Sequence, residues 1–391
     1  MRLLYISNIF IHHQKPLADA LYSKLGQGNY YFVETQVMQD EQKQLGYQQF
    51  CEPYVIQYND ETKIEIERMI ADFDVVICGE APISLVAKRY KTNKLTIRDD
   101  ESRYKGVIKY LKWPIYTKAS LIYNKGYLLC ASAFGPVDYW LSGMKRNKIF
   151  KWGYFPETFH YDIEKVFERK EKYRTKYQLN VSILWVGRLI GWKHPESTIT
   201  LARELKNKGF ISNINIIGTG PLENHIRKMI KKYNLENEVR LIGAVSSDKV
   251  RNYMLDSDIC MITSDRREGW GAVVNESMNS GCAVVACKNI GAVPSLIEDG
   301  ISGLTFLDCD WARMKEHIIH LIMNPSERKR IGEMAYHRIV DTWNANVAAN
   351  NLLKLIDSIQ EGYDNPVIEG PCSPAPIQLR KSKYGFRTFK K

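Results

Sequence analysis

Four side chains in the second half of the chain have the types and spacing to hold an anionic ligand that also carries hydroxyls. In LWVGRLIGWKHPE an apolar run ends at Gly187 and delivers Arg188 and, five residues later, Lys193. A guanidinium fork and a compact ammonium offer different geometries to a diphosphate. A pair of solvated surface cations is the competing reading. In DICMITSDRREGWGAVVNESMNSGCAVVAC the apolar run gives way to a charged loop with Glu268, then to Gly269, Trp270, Gly271 and Ala272, and then to a helical pattern that contains Glu276. A glycine-flanked helix start exposes backbone N–H groups and the positive end of the helix dipole, which suits a phosphate or an anionic leaving group. Two carboxylates beside such a site make sense when the ligand has sugar or ribose hydroxyls to donate to them.

A third cluster, IIGTGPLENHI, places Gly218, Gly220 and Pro221 after another apolar run. The third glycine of a dinucleotide fingerprint is replaced there by Glu223, which would oppose a pyrophosphate, so a nicotinamide cofactor is disfavoured. The two glycines either let the turn approach a ligand or simply make the turn. No metal site is expected. The eight cysteines are scattered, with no C-x-x-C pair and no histidine at ligand spacing, and are read as reduced core residues of a cytoplasmic protein. Asp99-Asp100 and Asp256-x-Asp258 are the nearest imitations of a metal-holding D-x-D triplet, and the second stands at the wrong end of its strand. His12 and His13, in NIFIHHQKPL, are candidates to face a cleft between domains, with a structural or solvated role as the alternative.

Such loops need strands behind them, because open α/β sheets bind ligands outside the carboxyl ends of their strands. Short apolar runs alternate with amphipathic stretches along nearly the whole chain, the pattern of parallel α/β architecture. In the first half the runs are LLYIS, YYFVE, DVVICG, LTI, YLLCAS and IFKW; in the second they are SILWVG, NINIIG, VRLIG, DICMITS, CAVVAC and GLTF. The expected organisation is an N-terminal Rossmann-like domain over 1–157, a highly charged linker over 158–180, a second Rossmann-like domain over 181–342, a helix over 343–362 and a basic tail over 363–391. At 391 residues the chain has room for two packed domains. The opening MRLLYISNIFIHHQ reads as a first strand, not a signal peptide, and no apolar run is long enough to span a membrane.

Fifty-five basic against 44 acidic residues give a formal charge of +11, which points to an anionic partner. Between Glu101 and Phe150 nine basic residues face two acids, and Tyr104, Tyr110, Trp113, Tyr116, Tyr123 and Tyr127 are interleaved with them. That mixture suits a lipid headgroup interface. It would also suit single-stranded nucleic acid, the less favoured partner, or a solvated face with core aromatics.

The order V-G-R-x4-K, G-x-G-P-L-E, E-G-W-G-x4-E and G-A-V-P-S-L-I-E-D-G-x-S-G-L, from about Ser182 to Phe306, resembles the family-four retaining glycosyltransferases of the GT-B fold. The resemblance implies two facing doubly wound α/β domains, with a C-terminal helix returning to the N-terminal one. It implies transfer of a hexose-type sugar, with retention and without a metal, from a UDP- or GDP-linked donor to a glycan, in particular a lipid-linked one, in assembly of a bacterial surface polysaccharide such as a capsule. Glu268 and Glu276 match the family's E-x7-E signature. By the resemblance, Arg188 and Lys193 bind the donor diphosphate, Glu276 the ribose and Glu268 the sugar. The backbone from Gly269 to Ala272 then faces sugar and phosphate, and the turn from Gly218 to Pro221 borders the nucleotide. The nucleotide sugar is a substrate and no cofactor is implied. The enzyme would work in the cytoplasm, docked on the inner membrane face. A nucleotide-sugar epimerase on the same fold and a non-catalytic basic membrane- or nucleic-acid-binding protein are the alternatives.

Overall fold

The computed structural model describes residues 1–39, 50–101 and 126–381. The chain forms two units: Met1–Glu157 with Thr342–Leu379, and Thr158–Asp341 joined by Arg380 and Lys381.

The first unit is built on seven strands: β1 (Leu3–Ser7), β2 (Tyr30–Glu34), β3 (Val55–Gln57), β4 (Val75–Cys78), β5 (Leu95–Asp100), β6 (Tyr127–Cys130) and β7 (Ile149–Lys151). They pair in the order β3-β2-β1-β4-β5-β6-β7, and every pair is parallel. Helices α1 (Lys15–Leu25), α2 (Lys63–Asp72) and α3 (Gly135–Leu141) connect strands. A parallel sheet covered on both faces needs strands apolar on both sides, which is why LLYIS and VVIC are buried at every residue. One side of the core joins Leu4, Ile6 and Val76 to Ile66 and Ile70 of α2. The edge strand β3 is absent from the expectation above, because its three residues, VIQ, are only half-buried and carry no run long enough to read as a strand.

The second unit has six strands: β8 (Val181–Val186), β9 (Ser212–Ile217), β10 (Val239–Gly243), β11 (Ile259–Ile262), β12 (Ala283–Cys287) and β13 (Leu304–Phe306). Their order is β10-β9-β8-β11-β12-β13, again all parallel. Its helices are α4 (Ile163–Tyr177), α5 (Glu196–Asn207), α6 (Glu223–Lys232), α7 (Ser247–Asp256), α8 (Val273–Asn279), α9 (Val293–Leu296), α10 (Trp311–Met323) and α11 (Pro325–His337).

Residues 158–180 are not a bare linker. Helix α4 belongs to the second unit and packs on α7 and α11. Its charge density reads as solvated, yet Val166 and Lys170 are buried, and the Lys170 ammonium donates to the Met254 carbonyl at 2.9 Å. Arg174 pairs with Asp258, whose other oxygen accepts the Ser182 N–H at 2.9 Å. Asp258 is therefore spent on joining α4 to the sheet.

Beyond Asp341 the chain returns to the first unit, where α12 (Ala345–Glu361) packs on α1 and the Asn344 side chain caps it through the Val347 N–H at 3.0 Å. Residues 363–379, expected as the start of a tail, lie along β7: the Lys151 N–H donates to Ser373 at 2.8 Å and the Ala375 N–H to Ile149 at 3.0 Å. The strongly basic remainder from 382 lies outside the described residues. Among the described residues no helix is long and apolar enough to cross a membrane.

Candidate functional site

Chain order reverses in the second sheet between β8 and β11, the place where an open α/β sheet opens a crevice at its carboxyl edge. The loops that follow these two strands carry Lys193 and Glu268. The structure brings them into contact: Lys193 Nζ lies 2.6 Å from Glu268 Oε2, with both side chains about 15% exposed. Lys193 also sits 4.8 Å from the centre of the Trp192 ring. Below them Thr263, just past β11, donates to the Lys193 carbonyl at 2.6 Å and accepts from Trp185 Nε1 of β8 at 2.8 Å. The two loops are thus laced together beneath their charged tips. Arg188 is exposed, and no side chain among the described residues pairs with it.

Gly187, Gly218 and Gly220 act on the backbone. Gly218 has φ of +125°, and a Cβ there would stand 2.0 Å from the Gly187 carbonyl oxygen; at Gly220 it would stand 2.6 Å from that of Leu189. The close approach is between two loops: the Leu189 N–H donates to Thr219 at 2.9 Å and the Leu222 N–H back to Leu189 at 2.9 Å. These glycines fix the floor on which Arg188 and Lys193 stand. Pro221 is exposed in the same turn.

Glycine is needed for a similar reason at 271, where φ is +88° and a Cβ would press on Ile290 at 2.9 Å and on Glu268 Cγ at 3.3 Å. Gly269 lies in the turn before it. Trp270 is a core residue: its side chain is buried and its Nε1 donates to Asn275 at 2.9 Å, so its indole presents no face to a ligand. Ala272 immediately precedes α8, which has seven residues and no side-chain N-cap, a short stack of peptide dipoles. Glu276 in that helix makes no side-chain hydrogen bond or ion pair among the described residues. Burial pushes its carboxyl up to about 7, opposed by the Arg251 guanidinium. A carboxyl held near neutrality, without a partner, is ready to take hydroxyl hydrogen bonds.

Sequence reasoning missed His194. It follows Lys193 with φ of +51°, a left-handed conformation uncommon outside glycine, and its ring joins two elements. Nδ1 is 3.1 Å from Glu196 Oε1 at the start of α5, and Nε2 is 3.5 Å from Asp265 Oδ2 in the loop after β11. Burial would lower its pKa, but hydrogen bonds and charge from Asp265 and Glu196 raise it to about 9, so the ring is an imidazolium at neutral pH. Asp265 is held well below the usual carboxylate range by His194 and by Arg267, whose Nη2 is 2.6 Å away. The Asp265 N–H donates to the Trp192 carbonyl at 3.0 Å and its own carbonyl accepts the Glu268 N–H at 3.0 Å. Asp265 therefore ties the backbone at Trp192 to that at Glu268, with the His194 ring against its carboxylate.

Residues 166–338 match the family described as glycosyl transferases group 1. The chain is 25% identical to the amylovoran biosynthesis glycosyltransferase AmsK of Erwinia amylovora over 48% of this chain and 47% of that one. It is 28% identical to the alpha-D-kanosaminyltransferase of Streptomyces kanamyceticus over 43% of each chain. It spans about half the length of the curated relatives it matches, from 43% to 50% of the first three. Among solved structures it resembles Anabaena Alr3699/HepE in complex with UDP, with a TM-score of 0.67 and 14% identity over 92% of this chain and 100% of that one. It also resembles the sucrose-phosphate synthase of Thermosynechococcus elongatus, with a TM-score of 0.64 and 15% identity over 93% and 100%. The fold is GT-B, two parallel-sheet α/β domains.

The matched residues 166–338 include Arg188, Lys193, Glu268 and Glu276, whereas His12 and His13 stand in the first unit, in the loop after β1. That sheet has its own switch point, between β1 and β4. Its loops are tied by Asn8 Nδ2 to Glu80 at 3.0 Å and by the Phe10 N–H to the buried Glu34 carboxylate at 3.0 Å. The two histidine rings lie 4.0 Å apart, and His13 stacks on Tyr154 at 6.0 Å. Burial lowers both pKa values, that of His13 to about 3 with help from the charge of His12, so the pair is neutral. Of Asp99-Asp100, Asp99 takes a hydrogen bond from Tyr5 and is pushed up to about 7 by burial, and Asp100 accepts from Tyr139. Most of the basic and aromatic stretch that suggested a membrane surface, from 102 to 125, lies outside the described residues. Within the described part, Arg146 lies 4.9 Å from the Trp140 ring and Lys148 5.2 Å from that of Tyr127. Among the described residues no group of three or more His, Cys, Asp or Glu side chains is placed to hold a metal ion.

Proposed function

We propose that this chain is a retaining glycosyltransferase that moves a hexose-type sugar from a nucleoside-diphosphate donor to a glycan acceptor in bacterial polysaccharide assembly. The observation that carries the reading is the Lys193–Glu268 pair at the β8/β11 switch point, with exposed Arg188 in the loop after β8 and Glu276 in α8. Charge builds on the diphosphate as the anomeric bond lengthens, and two cations fixed in advance stabilise it without reorganisation. Lys193 exchanges part of its pairing with Glu268 for the diphosphate, which frees a Glu268 oxygen for a donor-sugar hydroxyl. Glu276 accepts the ribose hydroxyls. UDP, bound in the Anabaena protein of similar fold, is the first nucleotide to try, with GDP next. Arg188 and Lys193 take the charge-neutralising role that a metal has in other transferases. The neutral His12–His13 pair lies on the acceptor side, in the first unit. A lipid-linked acceptor on the cytoplasmic leaflet accounts for the excess of basic and aromatic residues in that unit.

The test is release of nucleoside diphosphate from a panel of UDP- and GDP-sugars, with and without lipid-linked glycan acceptors and with and without a chelator. Turnover of one donor that persists in the chelator supports the reading, and an NMR spectrum of the product linkage reports retention directly. No release from any donor sinks it.

A further inference from the structure

The loop after β12, residues 288–292, stands beside the Glu268 loop at the carboxyl edge of the second sheet, because β12 pairs directly with β11. The two loops touch. The Ala292 N–H donates to the Trp270 carbonyl at 2.9 Å, and Ile290 Cγ2 is the atom that a Cβ at Gly271 would meet at 2.9 Å, with Glu268 Cγ at 3.3 Å. The loop is also pinned to its own sheet: the Lys288 N–H donates to Phe306 of β13 at 2.8 Å and the Ile290 N–H to Cys287 at 3.2 Å. Between these ties sits Asn289, which is 1% exposed.

A buried amide side chain needs both a donor and an acceptor opposite it. Asn289 finds both in one residue far along the chain: its Nδ2 donates to the Lys381 carbonyl at 2.7 Å, and its Oδ1 accepts the Lys381 N–H at 3.2 Å. The clasp grips backbone, so it fixes where the chain runs and leaves the side chain at 381 uncommitted. Lys381 itself is exposed. From Arg380 to Lys391 the sequence has six basic residues and no acid. A strongly cationic segment therefore starts one loop away from Glu268. The two carboxylates of the loop after β11 are already engaged, Glu268 with Lys193 and Asp265 with His194 and Arg267. Charge of one sign gathered at the mouth of a crevice raises the local concentration of an opposite ion, and no single cation has to touch it.

We infer that this basic segment is an element of the donor site: Asn289 is the positioning residue that anchors it at the loop after β12, and its charge draws the anionic donor into the β8/β11 crevice. The inference rests on the donor reading proposed above, and it adds the segment that recruits the donor.

The test is binding of UDP, GDP and the uncharged nucleoside uridine by calorimetry, with donor turnover beside it, at about 0.01 M and about 0.3 M salt. Surface charges act over about 30 Å at the lower concentration and over only several Å at the higher. Three chains are compared: the native one, Asn289→Asp, and one that combines Lys381→Gln, Lys383→Gln, Arg387→Gln, Lys390→Gln and Lys391→Gln. The glutamine chain retains the backbone clasp and loses the charge. Asn289→Asp retains the charge and sets an oxygen against the Lys381 carbonyl. Both variants are expected to weaken UDP and GDP by about three- to tenfold at low salt, to leave uridine unchanged and to approach the native chain at high salt. In turnover the loss is expected in KM rather than kcat. Should Asn289→Asp fail to fold, the glutamine chain, which alters no buried residue among those described, decides alone. Native UDP affinity at low salt in the glutamine chain or in a folded Asn289→Asp would overturn the inference. So would a loss that uridine shares or that salt leaves in place, or tighter UDP binding in the glutamine chain, which would show the segment competing with the donor. A native chain that binds no nucleoside diphosphate overturns the donor reading itself, and this inference with it.

Discussion

The two sheets use the same topological feature for different electrostatics. At the β8/β11 switch point Lys193 pairs with Glu268 and His194 lies between Glu196 and Asp265, while burial raises the unpaired Glu276 carboxyl to about 7. In the loop after β1 burial leaves His12 and His13 neutral, and in β5 it raises Asp99 to about 7. Loop construction differs as well. The second unit stacks bare glycine backbones, Gly218 on Gly187, whereas the first ties its loop with the Asn8 and Glu34 side chains. A paired ionic crevice can trade one partner for an incoming diphosphate, and a neutral one favours hydroxyls. The contrast fits a charged donor in the second unit and an uncharged acceptor group in the first.

Substitutions at four positions break or sharpen this contrast. Lys193→Ala, which removes a cation that the proposed function assigns to the leaving group, is expected to cut donor turnover by about 100- to 1000-fold in steady-state assays, with little change in melting temperature. Full activity would remove the ionic half of the comparison. Glu276→Ala is expected to weaken nucleotide binding by about 10- to 100-fold by calorimetry, the scale of a lost charged hydrogen-bond acceptor. Since burial holds the Glu276 carboxyl up to about 7, its ionised form is depleted below that pH. Nucleotide affinity in the native chain should therefore fall as the pH drops through about 7, and Glu276→Gln should flatten that profile.

His194→Ala tests the tie beneath the ionic crevice. About a tenfold loss is expected, mostly in kcat, because Asp265, which ties the Lys193 and Glu268 loops, loses the ring against its carboxylate while their own side chains remain. Stability gives an independent readout. The folded chain holds the His194 proton up to about 9, whereas an unfolded histidine releases it near about 6.5. The raised value means that the contribution is complete below about 6.5 and is lost as the pH rises through about 9. The melting-temperature gap between native and variant chains should close over that window, and a gap that stays constant would contradict the imidazolium. The smallest effect is expected from His13→Phe: a few-fold rise in acceptor KM, with donor binding unchanged, as for loss of one neutral hydrogen bond. A loss of donor binding would place the histidines on the wrong side of the contrast.

Much of the fold was legible because parallel strands buried on both faces read as continuous apolar runs, as LLYIS and CAVVAC do. Short β3 was not, since an edge strand of three half-buried residues leaves no such run. Helix α4 was misread as a linker because its buried contacts run through Lys170 and Arg174, whose charges signal solvent unless their partners, Met254 and Asp258 far along the chain, are known. In the site, Lys193 and Glu268 were legible separately from their loops, but their contact was not. The resemblance gave Trp270 a role only through its backbone, and its side chain fills the core. His194 gave no periodic or motif signal; its role depends on Asp265, which the sheet brings near only through the β8–β11 pairing.

The central claim is that Lys193 and Glu268 form one donor site, and a double-mutant cycle tests it most directly. Turnover of the accepted nucleotide sugar would be measured in the native chain, Lys193→Ala, Glu268→Ala and the double variant. Two groups that act as one unit are expected to be strongly non-additive, with the double variant about as impaired as Lys193→Ala alone. Losses that simply multiply would show that the pair seen in the structure is not the site at which the donor is held.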